Sequence, residues 1–274
     1  MSQRTEDRIL AHYNIERELA DRLRHSTKED RGHLYVELYD ELFQRVPDHP
    51  QLQDKTVPEI KHSRMLGQAR FLKPMLDLST VYLELGPGAC ALAIHVARHV
   101  TKVYAVDVSS VVSSNDKYPE NLEFVLSDGT SVPVPEGSVD LAFSNQLMEH
   151  LHPDDALEQL RNVFRTLTPG GKYFCITPSR LSGPHDVSQH FDEQATCFHL
   201  KEYAYSELEI LFREVGFTKF YAIVGYRGWG VRTPLFLVKL VESLVAKLPG
   251  KTRKFVGRFG PVRLLLGIKL VATK

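Results

Sequence analysis

Cysteine is scarce in this chain: Cys90, Cys175 and Cys197 are the three present, and no two stand in Cys-x-x-Cys spacing. An odd, scattered set excludes a disulfide framework as the source of stability and supplies no sulfur-based zinc site. A reducing cytoplasm is the expected setting. Excess charge of one sign is also missing, because 34 Lys and Arg balance 34 Asp and Glu. With no global field, a nucleic acid or an anionic surface would have to be met by a local patch. No uncharged apolar run approaches the roughly 18 residues that span a bilayer. Met1 leads into the polar run Ser2-Gln3-Arg4-Thr5-Glu6-Asp7, so no secretory signal is expected. Internal repeats and low-complexity segments are absent. What remains is a 274-residue chain with 43% hydrophobic residues, enough for one large α/β domain with a buried core.

The first zone, residues 1–76, reads as a helical extension. Apolar residues recur at helical spacing in Ile9, Tyr13, Leu19 and Leu23, and again in Leu34, Leu38, Leu42 and Phe43. Pro47 and Pro50 end the second helix, and a third is predicted over 60–75. From 77 onward short apolar runs alternate with helical patterns. Strands are predicted at 81–85, 102–106, 121–126, 139–143 and 172–176, with helices at 89–98 and 154–167. Strands separated by helices of this length imply parallel βαβ crossovers covered on both faces. A long loop (178–203), a helix (205–215) and a strand (217–224) follow. An insertion over 226–262 precedes a final apolar run at 264–272.

The first strand runs into Glu84-Leu85-Gly86-Pro87-Gly88-Ala89-Cys90-Ala91. Glycines at a strand-to-helix turn let the backbone approach a ligand that any β-carbon would push away. Alone, Gly86-x-Gly88-x-x-Ala91 also fits a dinucleotide site, or a tight turn with no ligand. The second strand ends in Val106-Asp107, just before Val108, where an acid can accept from both hydroxyls of a ribose. Glu84 favours a cationic ligand over a pyrophosphate, and Ser127-Asp128-Gly129 places a further acid after the third strand.

These residues resemble class I S-adenosylmethionine-dependent methyltransferases. Glu84-x-Gly86-x-Gly88 looks like their motif I, Asp107 like the acid that follows it, and Asp128 like the adenine-side acid. Asp140-Leu141-Ala142-Phe143-Ser144-Asn145 looks like motif IV, and Leu167-Thr168-Pro169-Gly170-Gly171 like the turn before strand five. The resemblance covers about residues 80–225 and is nearest the broad type 11 group; Cys90 departs from the usual third glycine. It implies a Rossmann-like, seven-stranded, mostly parallel sheet with the last strand antiparallel, over a domain of 77–274. It also implies S-adenosyl-L-methionine as cofactor and S-adenosyl-L-homocysteine as product. Glu84, Gly86, Pro87, Gly88, Asp107, Val108, Asp128, Gly129, Asn145 and Gln146 are the expected cofactor residues.

Methyl transfer needs alignment in a dry pocket more than it needs acid or base. Strand four ends in Asn145-Gln146-Leu147-Met148-Glu149-His150, and His150 is the leading candidate base. The alternative is that Glu149 and His150 merely anchor the turn. Ubiquinone-biosynthesis O-methyltransferases have a similar Glu-His pair with an upstream glutamate associated with metal; Gln146 stands there instead, so no metal is expected. The loop 178–203 is rich in histidine, and His185, His190 and Asp192 are candidates to orient or deprotonate an acceptor, unless they are simply exposed. In the insertion, 235–248 is an apolar helix, read as a lid, followed by a basic loop. Membrane-surface contact through 235–259 is the second reading; nucleic acid is not expected. Tyr226 and Trp229 are candidate acceptor-lining aromatics, or core. The function expected is transfer to oxygen or nitrogen of a small molecule. The rivals are an NAD-dependent oxidoreductase and a non-catalytic scaffold that binds an adenosyl ligand. The oligomeric state is not indicated.

Overall fold

The computed structural model describes residues 4–50, 52, 58–109 and 118–274. Five strands run parallel at its centre: β1 (Val81–Leu85), β2 (Lys102–Asp107), β3 (Leu122–Leu126), β4 (Val139–Asn145) and β5 (Leu167–Thr177). Three more complete the sheet: β6 (Lys219–Tyr226), β7 (Trp229–Pro234) and β8 (Ile268–Thr273). The order is β3-β2-β1-β4-β5-β8-β6-β7. The last strand in the chain, β8, is antiparallel to both of its neighbours. The central strands are buried on both faces, which accounts for their continuous apolar runs.

Helices cover both faces. On one, α1 (Glu6–Arg24), α2 (Lys28–Arg45), α5 (Pro153–Thr166) and α6 (Tyr205–Val215) bury Leu19, Leu38, Leu160 and Phe212 against Leu83, Ala142 and Leu270. On the other, α3 (Pro58–Leu72) and α4 (Ala91–Val96) bury Leu72, Leu92 and Val96 against Tyr82, Phe143 and Phe174. The N-terminal helices therefore share a core with the sheet. Helix α5 forms where the sequence supplies both signals: Pro153 in its first turn and His152 as cap, whose Nδ1 accepts from the Asp154 amide at 3.3 Å.

Four expectations about elements are corrected. Among the described residues the sheet has eight strands, not seven, because Trp229–Pro234 pairs antiparallel with β6 across a two-residue turn. Arg227 and Gly228 both have positive φ, 53° and 85°, as a tight hairpin with matching twist requires. The last strand starts at Ile268, since Leu264 to Leu266 end a helix, α9 (Gly260–Leu266), opened by Pro261. The basic stretch after 250 is a helix, α8 (Gly250–Arg258), rather than a loop. It follows α7 (Leu235–Ala246). Finally, α4 is shorter than 89–98, because Cys90 enters it in the left-handed region at φ 54° and a tighter turn, Ala97–His99, closes it.

Candidate active site

The carboxyl ends of β1, β2 and β4 open into a crevice of about 420 Å³. Gly86 and Gly88 turn the chain out of β1 with φ of +65° and +51°, and a β-carbon added at Gly88 would meet nothing within 4 Å. Gly88 therefore faces the open crevice rather than packed side chains. Asp107 organises this loop: its carboxylate accepts from the Gly88 amide at 3.1 Å and from the Ser109 amide at 3.2 Å. Burial nonetheless pushes the Asp107 pKa up. Glu84 lies in β1 just before the loop, buried, with the Tyr82 hydroxyl at 3.4 Å. Burial, helped by the nearby Asp107 charge and only partly opposed by Tyr82, raises the Glu84 pKa to about 8. A buried carboxyl so short of donors suits a cationic group arriving from solution.

Of the expected cofactor residues, Gly86, Gly88, Asp107, Val108 and Gly129 line the crevice; Glu84, buried in β1, does not. Pro87, Asp128, Asn145 and Gln146 do not line it. Asp128 is turned onto its own loop, where one carboxylate oxygen accepts from the Thr130 and Ser131 amides at 2.9 and 2.7 Å. Despite partial burial, those bonds lower its pKa. Gln146 takes a left-handed φ of 57° and donates its amide to Ile176 at 2.8 Å, which bends the chain after β4. That bend delivers Leu147 and His150 to the crevice.

The roof comes from α2, through residues spaced by one helical turn. Arg31 forms a bidentate, buried ion pair with Asp155 of α5, both contacts at 2.7 Å. Tyr35 donates to the same carboxylate at 2.6 Å. One turn on, the Tyr39 hydroxyl lies 2.8 Å from His150 Nδ1. Nδ1 is also 3.1 Å from the Phe198 carbonyl, so a hydrogen on Nδ1 serves that carbonyl, whereas a bare Nδ1 accepts from the Tyr39 hydroxyl. Burial, with help from His199, lowers the His150 pKa to about 3, so the imidazole is neutral. Tyr39 is pushed well above its usual range by burial and stays protonated. Behind them Glu149 is fully buried. One oxygen accepts from the Thr177 hydroxyl at 2.8 Å, and the other has no partner among the described residues. Burial raises its pKa to about 7.

Tyr39 and His150 also line a second cavity, of about 360 Å³, between α1 and the histidine loop. His185 and His190 both line it, together with His12, Glu16, His49 and His199. The Arg4 guanidinium, a pure donor, lies 3.0 Å from His12 Nδ1, so Nε2 carries the hydrogen that bonds Glu16 at 2.6 Å. Burial pushes Glu16 up, but the bonds from His12, His49 and the Phe198 amide outweigh it and hold the pKa at about 2. Glu202 fixes the other two rings, with His199 Nδ1 at 2.8 Å and His185 Nδ1 at 3.3 Å. Burial opposes both charges; the pairing still lowers Glu202 to about 2 and raises His199. Asp192 is occupied by the Tyr13 hydroxyl at 2.9 Å. Ligand atoms of Glu149, His150 and His199 come within 4.8 Å of one another, as do those of His12, Glu16 and His49. In the second group both His12 nitrogens are already engaged.

Tyr226 and Trp229 do not wall this cavity. They sit exposed on the β6–β7 hairpin, and Trp229 borders a separate groove of about 710 Å³ with Phe71, Tyr221 and Arg232. Sequence reasoning missed Tyr39, His12, Glu16 and Glu202. The available signal was spacing: His12–Glu16 and Arg31–Tyr35–Tyr39 each repeat every four residues on one helical face.

Residues 83–175 match the family described as "Methyltransferase domain". A protein of Mycolicibacterium smegmatis named "Probable S-adenosylmethionine-dependent methyltransferase" is 31% identical over 132 residues, 48% of each chain. This chain thus spans about half the length of that curated relative. A solved S-adenosylmethionine-dependent methyltransferase from Aquifex aeolicus is 18% identical, with a TM-score of 0.50 over 66% of this chain and 95% of its own. The YcgJ protein of Bacillus subtilis is also 18% identical at a TM-score of 0.50, over 78% and 98%. At that identity the two structures establish the shared fold.

Proposed function

We propose that this chain, whose residues 83–175 match the family described as "Methyltransferase domain", is a class I S-adenosylmethionine-dependent methyltransferase acting on an oxygen or nitrogen atom of a small-molecule acceptor. The carrying observation is that the glycine-loop crevice and the histidine-lined cavity meet at Tyr39 and His150. When bound, S-adenosyl-L-methionine would supply an electrophilic methyl group and leave as S-adenosyl-L-homocysteine, and the proton displaced from the acceptor would pass to solvent.

The chain's own residues supply alignment. Gly86 and Gly88 admit the ligand, Asp107 accepts from ribose hydroxyls, and Glu84 takes the amino group. His150, neutral through burial and with its hydrogen on Nδ1, accepts at Nε2 from an acceptor O–H or N–H and so points the acceptor's lone pair at the crevice. A pKa of about 3 makes it a positioning acceptor rather than a proton store. His185 and His190 contact the acceptor from the far wall, with Glu202 orienting His185. Tyr35, Tyr39 and Phe43 exclude water from above. Residues 1–76 act as a roof on a catalytic domain of 77–274, and the cytoplasm is the working compartment.

The test is parallel calorimetric titration with S-adenosyl-L-methionine, S-adenosyl-L-homocysteine and NAD. Micromolar binding of the adenosyl ligands with none of NAD is expected. Folded protein that binds neither adenosyl ligand would overturn the reading.

A further inference from the structure

Helix α7 is apolar on two opposite faces. Leu235, Val238 and Val245 are buried against the body of the protein, whereas Phe236, Leu237, Leu240 and Leu244 form a stripe about half a turn away. An apolar helix face is ordinarily covered, yet Phe236 is 67% exposed. The same holds nearby: Trp229 on β7 is 75% exposed and Phe255 on α8 is 78% exposed. Ten of the 15 large apolar side chains exposed among the described residues fall between 226 and 264. Scattered singly they would be ordinary; concentrated in one insertion they mark an interaction surface. Helices α7, α8 and α9 close together on a small core of Val241, Val245, Val256, Val262 and Leu266, joined by Leu181 of the acceptor loop.

Charge selects the occupant. From 226 to 263 the sequence has nine Lys and Arg and a single acid, Glu242. Glu242 is buried, accepting from the Tyr205 and Ser206 amides at 2.6 and 3.0 Å, so it contributes nothing to the outer surface. Lys247, Lys251 and Arg263 are exposed and have no carboxylate partner among the described residues. A chain with no net charge has here collected a local positive excess beside an apolar stripe. Lys239 is taken by Glu209 at 2.6 Å and Glu193 lies beside Gly250, yet a second copy of this face would still oppose mostly cation to cation, which disfavours a symmetric dimer. No helix among the described residues is long and apolar enough to cross a membrane.

We propose that the 226–263 insertion is a peripheral docking module for an anionic lipid surface. Phe236, Leu240, Leu244 and Phe255 enter the boundary between headgroups and acyl chains, and the flanking lysines and arginines meet the phosphates. The module also touches the acceptor loop: Lys254 donates to the Gln189 carbonyl at 3.2 Å and Arg258 to the Ser182 carbonyl at 3.2 Å. Docking therefore brings the histidine-lined cavity close to the lipid surface.

The experiment is flotation of the full chain with vesicles of phosphatidylcholine alone or mixed with phosphatidylglycerol. Binding to the anionic vesicles, weakened by salt, is expected. Lys247→Ala with Lys251→Ala should lower the partition coefficient about fivefold per charge removed. Leu240→Glu with Leu244→Glu should abolish it while leaving the melting temperature and S-adenosyl-L-methionine affinity unchanged. Absence of vesicle binding, or binding indifferent to lipid charge, overturns the proposal. So does a soluble dimer that Leu240→Glu disrupts, which would make the stripe a self-association surface. Cofactor binding is read independently, so failure here leaves the methyltransferase reading standing, and the converse holds.

Discussion

Glu84 should make cofactor affinity depend on pH in a calculable way. Its pKa stands at about 8 in the ligand-free protein, against an ordinary 4.5, chiefly because burial penalises the charged form. A cationic amino group requires the carboxylate. Below about pH 8 the carboxyl must therefore lose a proton as the ligand binds, and affinity should rise with pH and level off once Glu84 is ionised beforehand. Linkage gives a rise of about fiftyfold between about pH 6 and about pH 8, or roughly 2.3 kcal/mol. Calorimetry in buffers of different ionisation enthalpy should detect close to one proton released per ligand near neutral pH. Glu84→Gln carries no titrating group, so its affinity should be lower above about pH 8 and lose most of the slope. It also separates the protein's contribution from titration of the ligand's own amino group. A flat wild-type profile, or an equal slope in wild type and Glu84→Gln, would refute the assignment of Glu84 to the amino group.

Three further outcomes are expected. Asp107→Ala removes the acceptor of the Gly88 and Ser109 amides and should weaken S-adenosyl-L-methionine binding at least about tenfold; unchanged affinity in a folded variant contradicts the ribose role. Arg31→Ala strands Asp155, which is 1% exposed, and should cost about 3–5 kcal/mol in denaturant unfolding. A loss below about 1 kcal/mol would show that α2 is not held by this pair. Glu149 has its pKa raised by burial from 4.5 to about 7. Its ionisation therefore opposes folding, and wild-type stability should fall as pH rises through that window. Glu149→Gln should match wild type near about pH 4 and exceed it by up to about 3 kcal/mol near pH 8. Equal pH dependence in both proteins would rule out Glu149 as the source.

The alternation of apolar runs with helical patterns was enough to place five parallel strands, because strands covered on both faces leave an unbroken local signature. The turn 84–88 and Asp107 were equally legible, since one strand and the step to the next dictate where they stand. The sequence also exposed the local charge and apolar density of 226–263, which composition records without any fold. Other features needed distant segments to meet. Tyr39 is an unremarkable helix residue until the Arg31–Asp155 pair docks α2 onto α5 and lays it over His150. His150 is a good base by its solution pKa and a poor one in the fold, because burial and His199 set its charge. Asp128 matches a motif, yet its nearest amides capture it first. The β7 strand was hidden because Arg227-Gly228 is a weak turn signal and the strand gains its partner only from β6. Periodicity and turn chemistry act between neighbours in sequence and so can be read there. Protonation, occupancy of a carboxylate and the walls of a cavity depend on what burial brings together, and only the tertiary structure decides them.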